Sequence, residues 1–137
     1  MEASIEWKGD FCFESHSGSG HTVVMDGPPE HGGANQGPRP MEMLLLGMGG
    51  CTAFDVVQIL NKGRAGLSDF NIELKAERAG EDPKVFTKIH VHFRLKGDNI
   101  KEALVKRAIE LSAEKYCSAS IMLGETADIT HSFEIME

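Results

Sequence analysis

The segment at residues 41–62 constrains the fold most, because it has helical spacing but is apolar on most of its sides. Its polar side chains Asp55, Gln58 and Lys62 form one narrow stripe at spacings of three and four residues. Pro40 suits the first turn of this helix, where its missing N–H costs nothing. A helix with so little polar surface is typically buried. We therefore predict a buried central helix that packs against its own sheet and a second subunit.

Patterns typical of β-strands occur on both sides of this helix. They lie at residues 3–8, 11–13, 21–26, 70–79, 85–97 and 128–136. The first three predict a small antiparallel meander, and the next two, joined by the turn sequence Gly-Glu-Asp-Pro, predict a hairpin. An amphipathic pattern over residues 98–117 predicts a second helix before the last strand. This order predicts an α+β fold in a single domain, residues 1–137.

Two glycine-rich stretches flank the start of the central helix. Residues 27–40 hold too many prolines and glycines for regular structure and predict a surface loop, long enough to cover a site. Gly47, Gly49 and Gly50 lie inside the helix, where glycine costs about 1 kcal/mol relative to alanine. They indicate close packing of another backbone, or a bend or restart of the helix just before Cys51.

Charge and hydropathy exclude several classes of protein. The net charge of −7 and the lack of a basic block argue against nucleic-acid binding. The longest nearly uncharged run, residues 43–54, is shorter than the roughly 20 residues that span a bilayer. The first residues contain Glu2 and Glu6 and do not resemble a secretory leader. We therefore expect no membrane segment and a cytoplasmic location.

Three cysteines in a cytoplasmic chain are not a disulfide scaffold; each is a buried small hydrophobe or a reactive thiol. If the helix restarts at Gly49, Cys51 lies near a helix N-terminus, which lowers the pKa of a thiol. Cys117 is predicted at the tail of its helix, where the dipole has the opposite effect. This asymmetry suits a pair in which one thiolate attacks and the other resolves. From their spacing alone, the two cysteines could equally be buried residues that fill the core.

Other residues with reactive side chains favour structural roles. Cys12 lies between two phenylalanines on the opposite face of its strand. His90 and His92 share a strand face without a third metal ligand in register, which favours a solvated face. His131 alternates in step with the inward-facing residues of the last strand, so it is predicted to point inward. None of these patterns predicts a metal ion or another cofactor.

Four motifs together resemble the OsmC/Ohr family of osmotically inducible proteins and organic hydroperoxide reductases. They are IEWKGDFCF, MDGPP, PMEMLLLGMGGCTAFDVV and LSAEKYCSAS. The resemblance covers essentially the whole chain and is closest to a branch of short bacterial members. It implies an OsmC-like fold: an intertwined α+β homodimer with two buried central helices and two active sites at the subunit interface.

The resemblance also implies roles for single residues. Cys51 matches the cysteine that attacks the peroxide, and Cys117 matches the resolving cysteine. Active members use an arginine, held by a glutamate that directly follows the proline at the helix start. Here the acid comes one position later as Glu42, which rotates it by about 100° around the helix. Arg39 is the nearest substitute for the arginine.

The function implied is a thiol-dependent peroxidase whose partners are an organic hydroperoxide and an external dithiol reductant. This chemistry needs no metal or flavin. The alternative is a non-catalytic OsmC-like dimer that binds a small apolar ligand at its interface and keeps its cysteines reduced. The shifted position of Glu42 favours this alternative.

Overall fold

The strands near the N-terminus form the predicted meander in the computed structural model, which describes all 137 residues. β1 (Ala3–Trp7), β2 (Phe13–Ser17) and β3 (Thr22–Met25) pair in that order, and both pairings are antiparallel. They belong to the first of two compact units, Met1–Leu46 and Gly47–Glu137.

The buried carboxylate of Asp26 organises the loop that follows β3. It accepts hydrogen bonds from the backbone N–H groups of Gly27, Ala34 and Gln36, at 2.7, 3.3 and 3.2 Å. Burial raises the pKa of Asp26, but these bonds outweigh it, so the pKa lies below its ordinary value. One side chain thus replaces the regular backbone pairing that the prolines and glycines prevent. A short 3₁₀ turn at Pro29–His31 is the regular element within the loop.

The second unit is built on a three-stranded sheet. β4 (Leu67–Arg78) and β5 (Phe86–Gly97) form the predicted hairpin, and β6 (Asp128–Ile135) pairs with β5 in parallel. A parallel neighbour requires a crossover, and the helical segments between β5 and β6 supply it. The inward-facing residues of β5 are buried, as the alternation predicts: Ile89, Val91, Phe93 and Leu95. The meander, helix, hairpin and final strand confirm the α+β fold.

The central helix α1 (Pro40–Lys62) begins at the predicted proline and is unbroken. The possible restart before Cys51 is therefore wrong. Gly49 is buried on β4: a Cβ there would lie 2.8 Å from a methyl carbon of Leu74. A Cβ at Gly50 would meet no atom of this chain within 4 Å. Gly49 thus permits close helix–sheet packing.

α1 is covered by its own chain on one face only. The buried face carries Met48, Gly49, Thr52, Val56 and Leu60. Outside that face, Leu44, Leu46 and Phe54 are 50%, 60% and 73% exposed. This 23-residue helix is long and apolar enough to cross a membrane. Core helices of soluble proteins can have the same length and composition.

The second predicted helix is divided in the structure. α2 (Glu102–Leu111) is followed by one π-helical turn (Ser112–Tyr116) and then by the short α3 (Ser118–Leu123). Cys117 separates the last two segments with φ −79° and ψ 96°, an extended conformation. It is the C-cap of the π turn, as its predicted place at a helix tail requires, and it is also the N-cap of α3, which the sequence did not predict.

Gly37→Ala should destabilise the protein, because the new methyl group would collide with the backbone carbonyl of Val24 on β3. A misfit of this kind costs about 1–3 kcal/mol of unfolding free energy. Gly80→Ala is the matched control, since a Cβ there meets nothing within 4 Å. Urea unfolding of the two variants measures the difference. Equal midpoints would contradict this account of the loop.

Candidate functional site

The structure brings Cys51 and Cys117 together, although they are far apart in the chain. The two sulfur atoms and a carboxylate oxygen of Asp55 all lie within 4.8 Å of one another. Cys51 and Asp55 are four residues apart on α1, so both side chains project from the same helix face. All three cysteines are reduced. The cluster therefore holds two free thiols and one carboxyl group.

The sulfur of Cys117 is buried in a shell of hydrogen-bond donors. The Ser120 N–H and hydroxyl donate to it at 3.3 and 3.1 Å, and the Thr52 hydroxyl lies 3.3 Å away. Burial by itself raises the pKa of the thiol. The hydrogen bonds from Ser120 and Thr52 outweigh it, and the pKa of Cys117 falls below its ordinary value.

Cys51 has the opposite electrostatic environment. Burial raises the pKa of its half-buried thiol. The backbone N–H of Ala119 opposes that effect, but the neighbouring Cys117 and Asp55 favour the neutral form. The donors around Cys117 thus favour negative charge on its sulfur, whereas burial and the neighbouring Cys117 and Asp55 disfavour it on Cys51. These directions run against the sequence-based expectation, because α1 does not start at Cys51 and the hydrogen-bond donors lie at Cys117.

Asp55 is held in place by a residue of the π turn. The buried hydroxyl of Ser112 donates to a carboxylate oxygen of Asp55 at 3.0 Å. Sequence reasoning placed Asp55 on a polar stripe and overlooked this role, although its one-turn spacing from Cys51 was a usable signal. Ser120 was also overlooked, because cysteine is not among the usual N-cap residues and no local signal in the sequence pointed to it.

Arg39 and Glu42 lie in the first unit, where they stabilise the start of α1. The Arg39 guanidinium donates to the Asn35 side-chain oxygen at 2.9 Å and to the Gly37 carbonyl at 3.1 Å. The Glu42 carboxylate accepts a bond from the Arg39 backbone N–H at 2.9 Å. This bond resembles the carboxylate half of a capping box. Glu42 is thus engaged with the Arg39 main chain and not with its guanidinium.

The remaining candidates lie outside the thiol cluster. The sulfur of Cys12 lies 3.8 Å from the side-chain oxygen of Gln36. His90 and His92 both bond the hydroxyl of Ser132, at 2.8 and 2.7 Å. His131 stacks on Phe93 with ring centroids 6.3 Å apart, and burial lowers its pKa.

Known proteins are similar to this chain in sequence and in fold. A family model for OsmC-like proteins matches residues 32–132, which include both clustered cysteines. YhfA of Escherichia coli K12 is 45% identical over 136 residues, covering 99% of this chain and 98% of YhfA. A hypothetical protein from Aquifex aeolicus VF5 is 29% identical with a TM-score of 0.82, covering 99% and 97% of the two chains. An organic hydroperoxide resistance protein OsmC from Legionella pneumophila shares the fold (TM-score 0.73, 15% identity, 97% and 95% coverage).

In a Cys12→Ser background, the thiol that titrates at the lower pH should still be present in Cys51→Ser and should be missing in Cys117→Ser. The reason is that the donors from Ser120 and Thr52 stabilise charge on Cys117. Thiolate absorbance in the ultraviolet, recorded against pH, measures both titrations. The assignment is contradicted if the Cys51 thiol titrates at the lower pH.

Proposed function

This chain belongs to the OsmC-like protein family, and on that premise we propose that it is a thiol-dependent peroxidase that reduces organic hydroperoxides. The observation that carries the proposal is the juxtaposition of two reduced sulfur atoms in one cluster. A peroxidase of this kind needs one thiol that meets the substrate and a second that resolves the oxidised product. We also propose a cytoplasmic location, where cellular thiols can restore the reduced pair.

Cys51 is the proposed nucleophile because its side chain is part-exposed, whereas Cys117 has no exposed surface. Cys51 reacts as its thiolate, after its proton has passed to solvent. The Cys51 thiolate then attacks the distal oxygen of the hydroperoxide, and the O–O bond breaks. Cys51 becomes a sulfenic acid, and the departing alkoxide takes the proton from Cys117 and leaves as the alcohol.

Cys117 is then a thiolate and resolves the sulfenic acid. Its sulfur attacks the Cys51 sulfur, a disulfide forms, and the released hydroxide is protonated to water. The sulfur atoms must approach from within 4.8 Å to the disulfide length of about 2.05 Å. Cys117 lies at a junction between helical segments, where side-chain and backbone torsions can supply this movement. An external dithiol then reduces the disulfide in two exchange steps.

Cys51→Ser should abolish peroxide consumption, because no accessible nucleophile remains in the cluster. Cys117→Ser should allow one attack per site and then stall as a Cys51 sulfenic acid or a more oxidised product. Single-turnover reactions with cumene hydroperoxide, read by sulfenic-acid trapping and mass spectrometry, test both. Cys12→Ser is the control and should turn over normally. If Cys117→Ser turns over like wild type with a dithiol, the resolving role is wrong.

The alternative is a non-catalytic dimer that binds a small apolar ligand. It is favoured by the contacts of Arg39 and Glu42, which are bonded to Asn35, Gly37 and the helix start. The intact mass of wild type after one equivalent of cumene hydroperoxide separates the two functions. The peroxidase loses two hydrogen atoms as Cys51 and Cys117 join, with the two electrons passing to the hydroperoxide, whereas the binding protein keeps its mass.

The family resemblance alone keeps Arg39 in the proposal as a cation that assists the Cys51 thiolate, and Glu42 would support it through the Arg39 backbone N–H. Arg39→Ala should then lower kcat/KM by about 100-fold, as expected for loss of one electrostatic stabiliser. It should also move the acid limb of the pH profile to higher pH, because a cation favours the thiolate. Arg107→Ala, an exposed change on α2, is the control. Identical pH profiles for both variants would remove Arg39 from the mechanism.

The exposed apolar residues of α1 support the proposal that the protein is an obligate homodimer. Leu44, Leu46 and Phe54 would lose contact with water against a second copy. Gly47 and Gly50, whose Cβ positions are open, would allow close approach.

Phe54→Glu should therefore shift sedimentation toward monomer at micromolar concentration, because it places a charge in the proposed interface. Arg107→Glu adds a negative charge at an exposed position on α2, away from this face, and should leave the sedimentation profile unchanged. A wild-type protein that sediments as a stable folded monomer would contradict the dimer.

A further inference from the structure

We propose that Cys51, Asp55 and Cys117 of the reduced protein form a zinc(II) site. Their ligand atoms all lie within 4.8 Å of one another. In tetrahedral zinc geometry, two thiolate sulfurs stand about 3.8 Å apart and a sulfur and a carboxylate oxygen about 3.6 Å apart. Each atom therefore needs to move by on the order of 1 Å or less to hold the ion. Side-chain torsions alone supply movements of this size.

The ligand types favour zinc over the harder divalent ions. Two thiolates and one carboxylate form a soft to borderline donor set, which Mg²⁺ and Ca²⁺ bind poorly. Cys51 and Asp55 stand one helical turn apart on α1, a spacing that directs two ligands at one ion. Three protein ligands leave the fourth position open for water.

Hydrogen bonds already orient two of the three ligands. The buried Ser112 hydroxyl donates to one oxygen of Asp55, which leaves the other oxygen free to bind the ion. The Ser120 N–H and hydroxyl donate to the Cys117 sulfur and stabilise negative charge on it. Such partners of metal ligands commonly set metal affinity. Access is from the side of the half-buried Cys51 and Asp55, because Cys117 has no exposed surface.

A bound ion would make the thiol pair respond to both metal and oxidant. Zinc would occupy the lone pairs with which Cys51 attacks a peroxide and Cys117 resolves it, so it would inhibit turnover. This consequence rests on the proposed peroxidase function; the binding itself does not. Conversely, formation of the Cys51–Cys117 disulfide would remove two of the three ligands and release the ion.

Binding of Co²⁺ and Zn²⁺ to the reduced Cys12→Ser protein, without any peroxide, tests the site. We expect one Co²⁺ per chain, with thiolate-to-cobalt charge-transfer bands and the intense visible bands of tetrahedral coordination, and displacement by Zn²⁺. Ser112→Ala should weaken zinc binding by about 10- to 100-fold through loss of the Asp55 partner. Ser118→Ala, at an exposed position on α3, is the control and should bind like the parent.

Four results would overturn the site: less than one Co²⁺ per reduced chain, an octahedral cobalt spectrum, unchanged binding in Cys51→Ser, or unchanged binding by the disulfide form. Unchanged zinc affinity in Ser112→Ala would refute the role of its hydroxyl. The peroxidase assay is separate from this measurement. A protein that binds zinc but consumes no peroxide would refute the proposed function and leave the metal site standing.

Discussion

The hydrogen bonds that converge on the Cys117 sulfur are the interaction on which the site depends. Thr52 on α1 and Ser120 on α3 both contact this sulfur, and their hydroxyl oxygens lie 3.4 Å apart. A buried polar cluster is stable only when its members are satisfied together, which selects one relative position of the two helices. In that position, Cys117 lies beside Cys51.

The same arrangement separates the properties of the two thiols. The donors around Cys117 stabilise charge on a sulfur that substrate cannot reach. Cys51 is accessible but has a carboxylate, Asp55, for a neighbour. The hydrogen-bond donors therefore surround one sulfur, and the solvent-accessible surface belongs to the other. Peroxide reduction and zinc binding are two proposed uses of the same reduced pair.

Sequence patterns predicted the elements well where the signal is local. The alternation that buries Ile89 and Phe93 and the helix start at Pro40 depend on the chain's own periodicity and stereochemistry. The helix restart before Cys51 was wrong, because glycine breaks a helix or permits close packing according to what lies beside it. For Gly49 the neighbour is Leu74, more than twenty residues further along the chain.

The sequence by itself determined the family, the α+β order of elements and the two cysteines of interest. It did so because periodicity and motif spacing are properties of the chain alone. Only the tertiary structure decided which thiol receives the hydrogen-bond donors, and it placed Asp55, Ser112 and Ser120 around the pair. A thiol's pKa depends on burial and on donors that approach from other elements, and those contacts exist only after the chain has folded.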